Sequence, residues 1–191
     1  KRQDLQEQVV QPILSTSVAA VSIHPPSGIY GKTQHLSLSC ATPQASVRYT
    51  LDGSEPGPTS ALFTGPIVVS EPCTIRAQAS LGGVSGPQSS AHIDFACGRV
   101  TSDPKDDALH ELPLLVSLDA GHTEAEIYFT LDGTVPTQSS KLYTEKLALS
   151  ESTTLQARAL HPKWQDGPVA SFDFKVNRAK WEVNEPADPT D

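Results

Sequence analysis

Apolar and polar residues alternate along this chain in short bursts. Leu36, Leu38 and Cys40 are separated by serines, and Val116, Leu118 and Ala120 by Ser117 and Asp119. Val47 and Tyr49 alternate with Arg48 and Thr50; Ile75, Ala77 and Ala79 alternate with Thr74, Arg76 and Gln78. A period of two is the mark of a strand with one face buried. Ile67 with Val69 predicts a further short strand, and Val84 followed by His92-Ile93-Asp94-Phe95 predicts the last pairing. Nothing between these bursts has the length and period of a helix. Roughly six or seven short strands per ~80 residues, with turn signals between them, predict a small antiparallel sandwich.

The pattern is written twice. Shifted by 80 positions, Thr50-Leu51-Asp52-Gly53, Pro56, Ser60, Leu62 and Thr64 return as Thr130-Leu131-Asp132-Gly133, Pro136, Ser140, Leu142 and Thr144. Other pairs exchange like for like: Val47 with Ile127, Tyr49 with Phe129, Ile75 with Leu155. Self-similarity at a fixed period signals repeated architecture. Copy one is assigned to residues 18–95 and copy two to 96–176. This leaves an N-terminal segment 1–17 and a C-terminal tail 177–191. Copy two departs at its start, where an acidic stretch around 101–111 replaces the Gly28-Ile29-Tyr30 of copy one, so its first strand is expected to be irregular or shifted. In the first segment Leu5, Val9 and Ile13 share one helical face, weakened by Pro12; this reads either as a short amphipathic helix or as a frayed end.

Composition narrows the function. Of the 191 residues, 14 are Lys or Arg and 22 are Asp or Glu, a net charge of 14 − 22 = −8. That argues against nucleic acid, whose binding needs a basic surface, and against an anionic membrane surface. No apolar run approaches the roughly 18 residues of a membrane span. The chain contains no Met, so it is expected to be a segment of a longer protein. Cys40, Cys73 and Cys97 have neither metal-knuckle nor disulfide-scaffold spacing. Cys40 and Cys73 share strand parity with apolar neighbours and read as buried thiols, with a bridge between them left open. Asn177 and Asn184 open no glycosylation acceptor. These features point to a reducing, cytoplasmic compartment.

The combined motif resembles a known family. Tyr49–Pro56, Ser60–Ile67 and Thr74–Ala79, preceded by Pro26–Tyr30, are similar to the immunoglobulin-like C-terminal domain of chitobiases and β-hexosaminidases, also described as a fibronectin type III-associated repeat. Copy two carries the motif as Phe129–Pro136, Ser140–Leu147 and Thr154–Ala159, without the opening element. The resemblance implies an all-β chain of two tandem immunoglobulin-like antiparallel β-sandwiches. Such domains accompany catalytic domains in bacteria and also occur in eukaryotic intracellular proteins. No catalytic residue comes with them.

The residues that could carry chemistry each have a structural reading. Asp52 and Asp132 suggest calcium ligands, but calcium needs six to eight oxygens, and Glu55 of copy one becomes Val135 in copy two. An Asp-Gly turn explains them better. Ser60, Ser140, Thr64 and Thr144 lack a nucleophile elbow and read as loop hydrogen bonders. His24, His35, His92, His110, His122 and His161 show no metal-ligand spacing. Tyr49 and Phe129 read as core, leaving Tyr128, Trp164 and Trp181 as surface aromatics. Trp164 stands where copy one has Val84, which reads first as core packing.

The resulting expectation is a non-catalytic module with no cofactor and no metal. It serves a structural or protein–protein interaction role in a larger intracellular protein, with a protein partner or neighbouring domains of the same chain. Trp164, Lys180 and Trp181 are the candidate partner contacts. The second reading is an accessory domain of a secreted carbohydrate-active enzyme, binding glycan or packing on the catalytic domain.

Overall fold

A computed structural model of the chain describes residues 17–121 and 124–177. The expected helix at Leu5, Val9 and Ile13 and the candidate contacts Lys180 and Trp181 lie outside the described residues.

Copy one forms β1 (Val21–His24), β2 (Gly28–Tyr30), β3 (Gln34–Cys40), β4 (Ser46–Thr50), β5 (Ala61–Leu62), β6 (Ile67–Val69), β7 (Cys73–Leu81) and β8 (Val84–Phe95). Copy two forms β9 (Thr101–Asp103), β10 (Leu109–Glu111), β11 (Leu114–Asp119), β12 (Glu126–Thr130), β13 (Lys141–Leu142), β14 (Leu147–Leu149), β15 (Thr153–Leu160) and β16 (Ala170–Asn177). The sheet orders are β1-β3-β6 with β2-β8-β7-β4-β5, and β9-β11-β14 with β10-β16-β15-β12-β13. The two copies thus repeat each other strand for strand. Each copy is an immunoglobulin-like pair of sheets, and among the described residues the chain is all-β.

Each copy therefore has eight strands, more than alternation alone predicts. The additional ones are short. β5 and β13 have two residues each, too few to display a period. β2 pairs in parallel with the end of β8, and β10 with the end of β16. A parallel neighbour is chosen by residues far away in sequence, which no local pattern reveals. The acidic entry to copy two does not abolish its first strand. Ile23 faces Leu38 in copy one, and Ser102 faces Leu118 in copy two. The connection from the first of each pair to the second is one residue longer in copy two (118 − 102 = 16 against 38 − 23 = 15). That extra residue moves the local offset from 79 (102 − 23) to 80 (118 − 38), so the first strand of copy two is shifted by one residue.

Packing gathers the described residues into two compact units. One holds 17–24, 37–66 and 74–91; the other holds 25–36, 67–73 and 92–177. The first is built around Val21, Leu38, Val47 and the small or branched inner face of β7, Ile75, Ala77 and Ala79, all buried. The second buries Leu36, Ile93, Phe95, Val116, Phe129, Leu155, Phe172 and Phe174. Burying such side chains supplies about 25 cal/mol per Å² of apolar area removed from water.

The three cysteines are free. Cys97 is buried, but Cys40 and Cys73 are only half-buried. Parity placed them on the inner faces, yet Cys40 ends β3 and Cys73 begins β7, where the cover runs out.

Two glycines hold the entry segments close. A Cβ on Gly86 would lie 2.6 Å from the Val18 carbonyl oxygen, and one on Gly167 would lie 2.6 Å from the Gly98 carbonyl oxygen. Both obstacles are backbone, so Gly86→Ala and Gly167→Ala are each expected to cost about 1–3 kcal/mol as overpacking. Urea denaturation of each variant checks this, and an unchanged midpoint in either would refute the close approach there.

Candidate functional site

The repeated Thr-Leu-Asp-Gly segment follows β4 in copy one and β12 in copy two. In copy one Asp52 Oδ1 accepts from the Ser54 amide at 2.9 Å and from the Ser54 hydroxyl at 2.5 Å. The Thr50 hydroxyl donates to the Ser54 carbonyl at 2.6 Å. Copy two repeats the pattern: Asp132 Oδ1 accepts from the Thr134 amide at 3.0 Å and its hydroxyl at 2.6 Å, and Thr130 Oγ1 donates to the Thr134 carbonyl at 2.5 Å. Gly53 and Gly133 sit at φ 78° and 79°, the left-handed region that favours glycine. The carboxylate thus closes an Asx turn on its own backbone.

The rest of the motif continues this framework. Pro136 is fully buried, and Pro56 is buried in the equivalent place. Ser60 Oγ accepts from the Gly57 amide at 2.9 Å, and Ser140 Oγ accepts from the Thr137 amide at 3.0 Å. Each serine hydroxyl is therefore held by a loop amide. The bonds from Ser54 push the Asp52 carboxyl below its ordinary 3.8, and those from Thr134 do the same to Asp132. Among the described residues no group of three or more His, Cys, Asp or Glu is arranged to hold a metal ion.

A folded-state carboxyl pKa depressed below its unfolded value contributes stability above the unfolded value, lost as pH falls through the folded one. Asn at position 52 or 132 keeps the acceptor oxygen but not the charge. Wild type is therefore expected to melt above Asp52→Asn and Asp132→Asn at pH 7. The gap should close as the pH drops below about 3.8. Thermal melts from pH 7 to 2 check this; a gap that persists at pH 2 contradicts the turn assignment.

Trp164 occupies the connection from β15 to β16 and is 6% exposed. Its ring stacks on Phe95, with centroids 5.2 Å apart and planes 19° from parallel, and the His161 ring lies at 4.4 Å. Its Nε1–H donates to the Ser70 carbonyl at 2.8 Å. Beside it Lys163 pairs with Glu71, the Gln165 amide donates to the Phe95 carbonyl, and the Cys97 amide donates to the Gln165 carbonyl, both at 2.9 Å. All these residues belong to the second unit. Of the three candidate partner contacts, Trp164 is thus taken up inside the fold as core packing, although Val84, its counterpart at an offset of 80, is itself exposed. Burial raises the Cys97 thiol above its usual range, keeping it neutral rather than a reactive thiolate. Tyr128 Oη donates to Glu126 Oε2 at 2.7 Å, so its polar end is also engaged.

Sequence reasoning passed over one further group. Arg48 on β4 lines a cleft of about 270 Å³ with Gln78, Ser80, Gly83, Ser85 and the Pro56-Gly57-Pro58 segment. A larger, shallower cleft of about 640 Å³ is lined by Asp106, Asp107, Thr154, Asp173 and Lys175 among others. There Asp106 Oδ2 accepts from the Asp173 amide and Asp173 Oδ1 from the Thr154 hydroxyl.

The profile of the chitobiase/beta-hexosaminidase C-terminal domain matches residues 25–90 and again 111–171. No curated protein matches the chain. Among solved structures it is similar to fibronectin(III)-like modules of Clostridium thermocellum CbhA, at 16% identity over 82% of this chain and 94% of that one, TM-score 0.27. It is also similar to murine CEACAM1b (11% identity, 82% and 100% covered, TM-score 0.28). A third similar structure is Sidekick-1 immunoglobulin domains 1–5 (12% identity, 85% and 40% covered, TM-score 0.31).

Proposed function

The chain belongs to the chitobiase/beta-hexosaminidase C-terminal domain family, whose motif it carries twice, and on that premise we propose that it is a non-catalytic tandem module serving structural or protein–protein contacts within a larger intracellular protein. The observation that carries this reading is the repeated turn. Its carboxylates and hydroxyls, the residues most suggestive of chemistry, are committed to the backbone in both copies by the same bonds. What the two copies share is what the fold uses. Three free thiols support a reducing compartment.

The partner contact is assigned to the tail at Lys180 and Trp181, where Trp181 is of the residue type enriched among interface anchors. Affinity capture with the full chain and with its Lys180→Ala/Trp181→Ala variant tests the assignment. Loss of the same partners from the variant supports it, and identical capture by both refutes it. The family also occurs beside carbohydrate-active catalytic domains, which favours a second reading, an accessory glycan-binding domain. Specific binding on a glycan array, with no protein captured, would favour that one.

A further inference from the structure

Each copy carries a guanidinium in the same cross-strand pair of its five-stranded sheet, but only one of the two is neutralised. In copy two the pair is Tyr128 on β12 opposite Arg158 on β15. Arg158 Nε donates to the Gly167 carbonyl at 2.7 Å, and Nη2 lies 3.2 Å from Asp166 Oδ2. In copy one the pair is Arg48 on β4 opposite Gln78 on β7. Gln78 Nε2 takes over the bond to the matching glycine, donating to the Gly86 carbonyl at 2.8 Å. The guanidinium has crossed to the other strand. The residue before that glycine, Asp166 in copy two, is Ser85 in copy one. Copy one therefore keeps the cation and lacks the carboxylate.

Arg48 is half-buried and spends Nη1 on the Ser60 carbonyl at 2.5 Å. Among the described residues no carboxylate lies within ion-pair distance of it. Arg48 lines the cleft of about 270 Å³ together with Gln78, Ser80 and Ser85. A guanidinium presents a planar fork that meets a carboxylate through two parallel N–H···O bonds. A cleft that partly excludes water strengthens that attraction. The volume suits one acidic side chain and the backbone beside it. In a chain of net charge −8 this pairing has to be supplied selectively.

We propose that the Arg48 cleft recognises a carboxylate presented by an acidic peptide segment, which fills from outside the place that Asp166 fills in copy two. The site rests on the protein-contact reading above but uses neither Lys180 nor Trp181, so either can fail without the other. The test uses the full chain labelled with ¹⁵N and titrated with the capped tripeptide Ac-Ala-Glu-Ala-NH₂. The amides of Gly57, Gly83 and Ser85 and the Arg48 Nε–H should shift and saturate, with a Kd on the order of millimolar as expected for one bidentate contact. Arg48→Gln should weaken binding at least tenfold. Ser85→Asp should do the same with Arg48 intact, because it restores the internal pair of copy two and fills the place of the ligand. Ac-Ala-Gln-Ala-NH₂ should cause no shifts, and Ac-Ala-Gln-Ala with a free C-terminus separates a terminal carboxylate from a side-chain one. Equal responses to the Glu and capped Gln peptides, undiminished binding by Arg48→Gln, or a response to inorganic phosphate without one to the Glu peptide would overturn the proposal.

Discussion

Trp164→Ala should destabilise the second unit by about 3–5 kcal/mol, the usual cost of emptying a buried aromatic site. The indole is 6% exposed and stacked on Phe95, which is itself fully buried. Removing it leaves a void against Phe95 and strips the Ser70 carbonyl of its donor. An unpaired carbonyl in a part-buried place adds roughly 1–3 kcal/mol if water cannot reach it. Trp164→Phe separates the contributions: the ring stack survives, the hydrogen bond does not, and the cost should fall to about 1–2 kcal/mol. Urea denaturation of wild type and both variants measures this. A Trp164→Ala variant within about 0.5 kcal/mol of wild type, the range of an exposed substitution, would show that the ring is not held as described.

The second large effect concerns the equivalent core positions of the two copies. Ile75 on β7 and Leu155 on β15 are both fully buried. Truncating either to alanine is expected to cost about 2–5 kcal/mol, from lost transfer energy and the cavity left behind. They belong to different units. Amide hydrogen exchange should therefore accelerate first around Ala77 and Ala79 in Ile75→Ala, and first around Ala157 and Ala159 in Leu155→Ala. A variant that loses protection evenly through the chain, or loses none, would contradict the assignment of these residues to separate cores.

Much of this fold is readable from the chain because a half-buried strand must alternate. The inner residues of β3, β4, β7 and their counterparts declare themselves that way. Where the strand is two residues long, as in β5, or pairs in parallel, as in β2, alternation has no room or no bearing. Cys40 and Cys73 show a different limit. Parity tells which face a side chain takes, but not whether the cover extends to the end of the strand. The repeat announces neither the burial of Trp164 nor its partners, because Val84, its counterpart at an offset of 80, is exposed. Ser70 is 94 residues away in sequence, and nothing local in either segment announces the other.

The Arg48 cleft escaped the sequence reading for a more particular reason. At a constant offset of 80, Ser85 faces Gln165, and the exchange with Asp166 is invisible. Only the close approach of Gly86 and Gly167 to their carbonyl neighbours fixes the local offset at 81 (167 − 86) and brings Ser85 opposite Asp166. The repeat marks what both copies need. The differences become interpretable once the backbone has set the alignment.

The central claim is that the repeated Thr-Leu-Asp-Gly segment is a turn closed by its own carboxylate, used twice for the fold. The most direct test follows the amide protons of Ser54 and Thr134 by NMR as the pH is lowered, then repeats the spectrum at pH 7 with millimolar calcium. The account predicts that both protons titrate with midpoints below the ordinary 3.8, because each amide donates to the carboxylate that is changing charge. It also predicts that calcium leaves both where they are. Midpoints at or above 3.8, or a saturable calcium shift at either amide, would show that these carboxylates are available to a ligand and contradict the account.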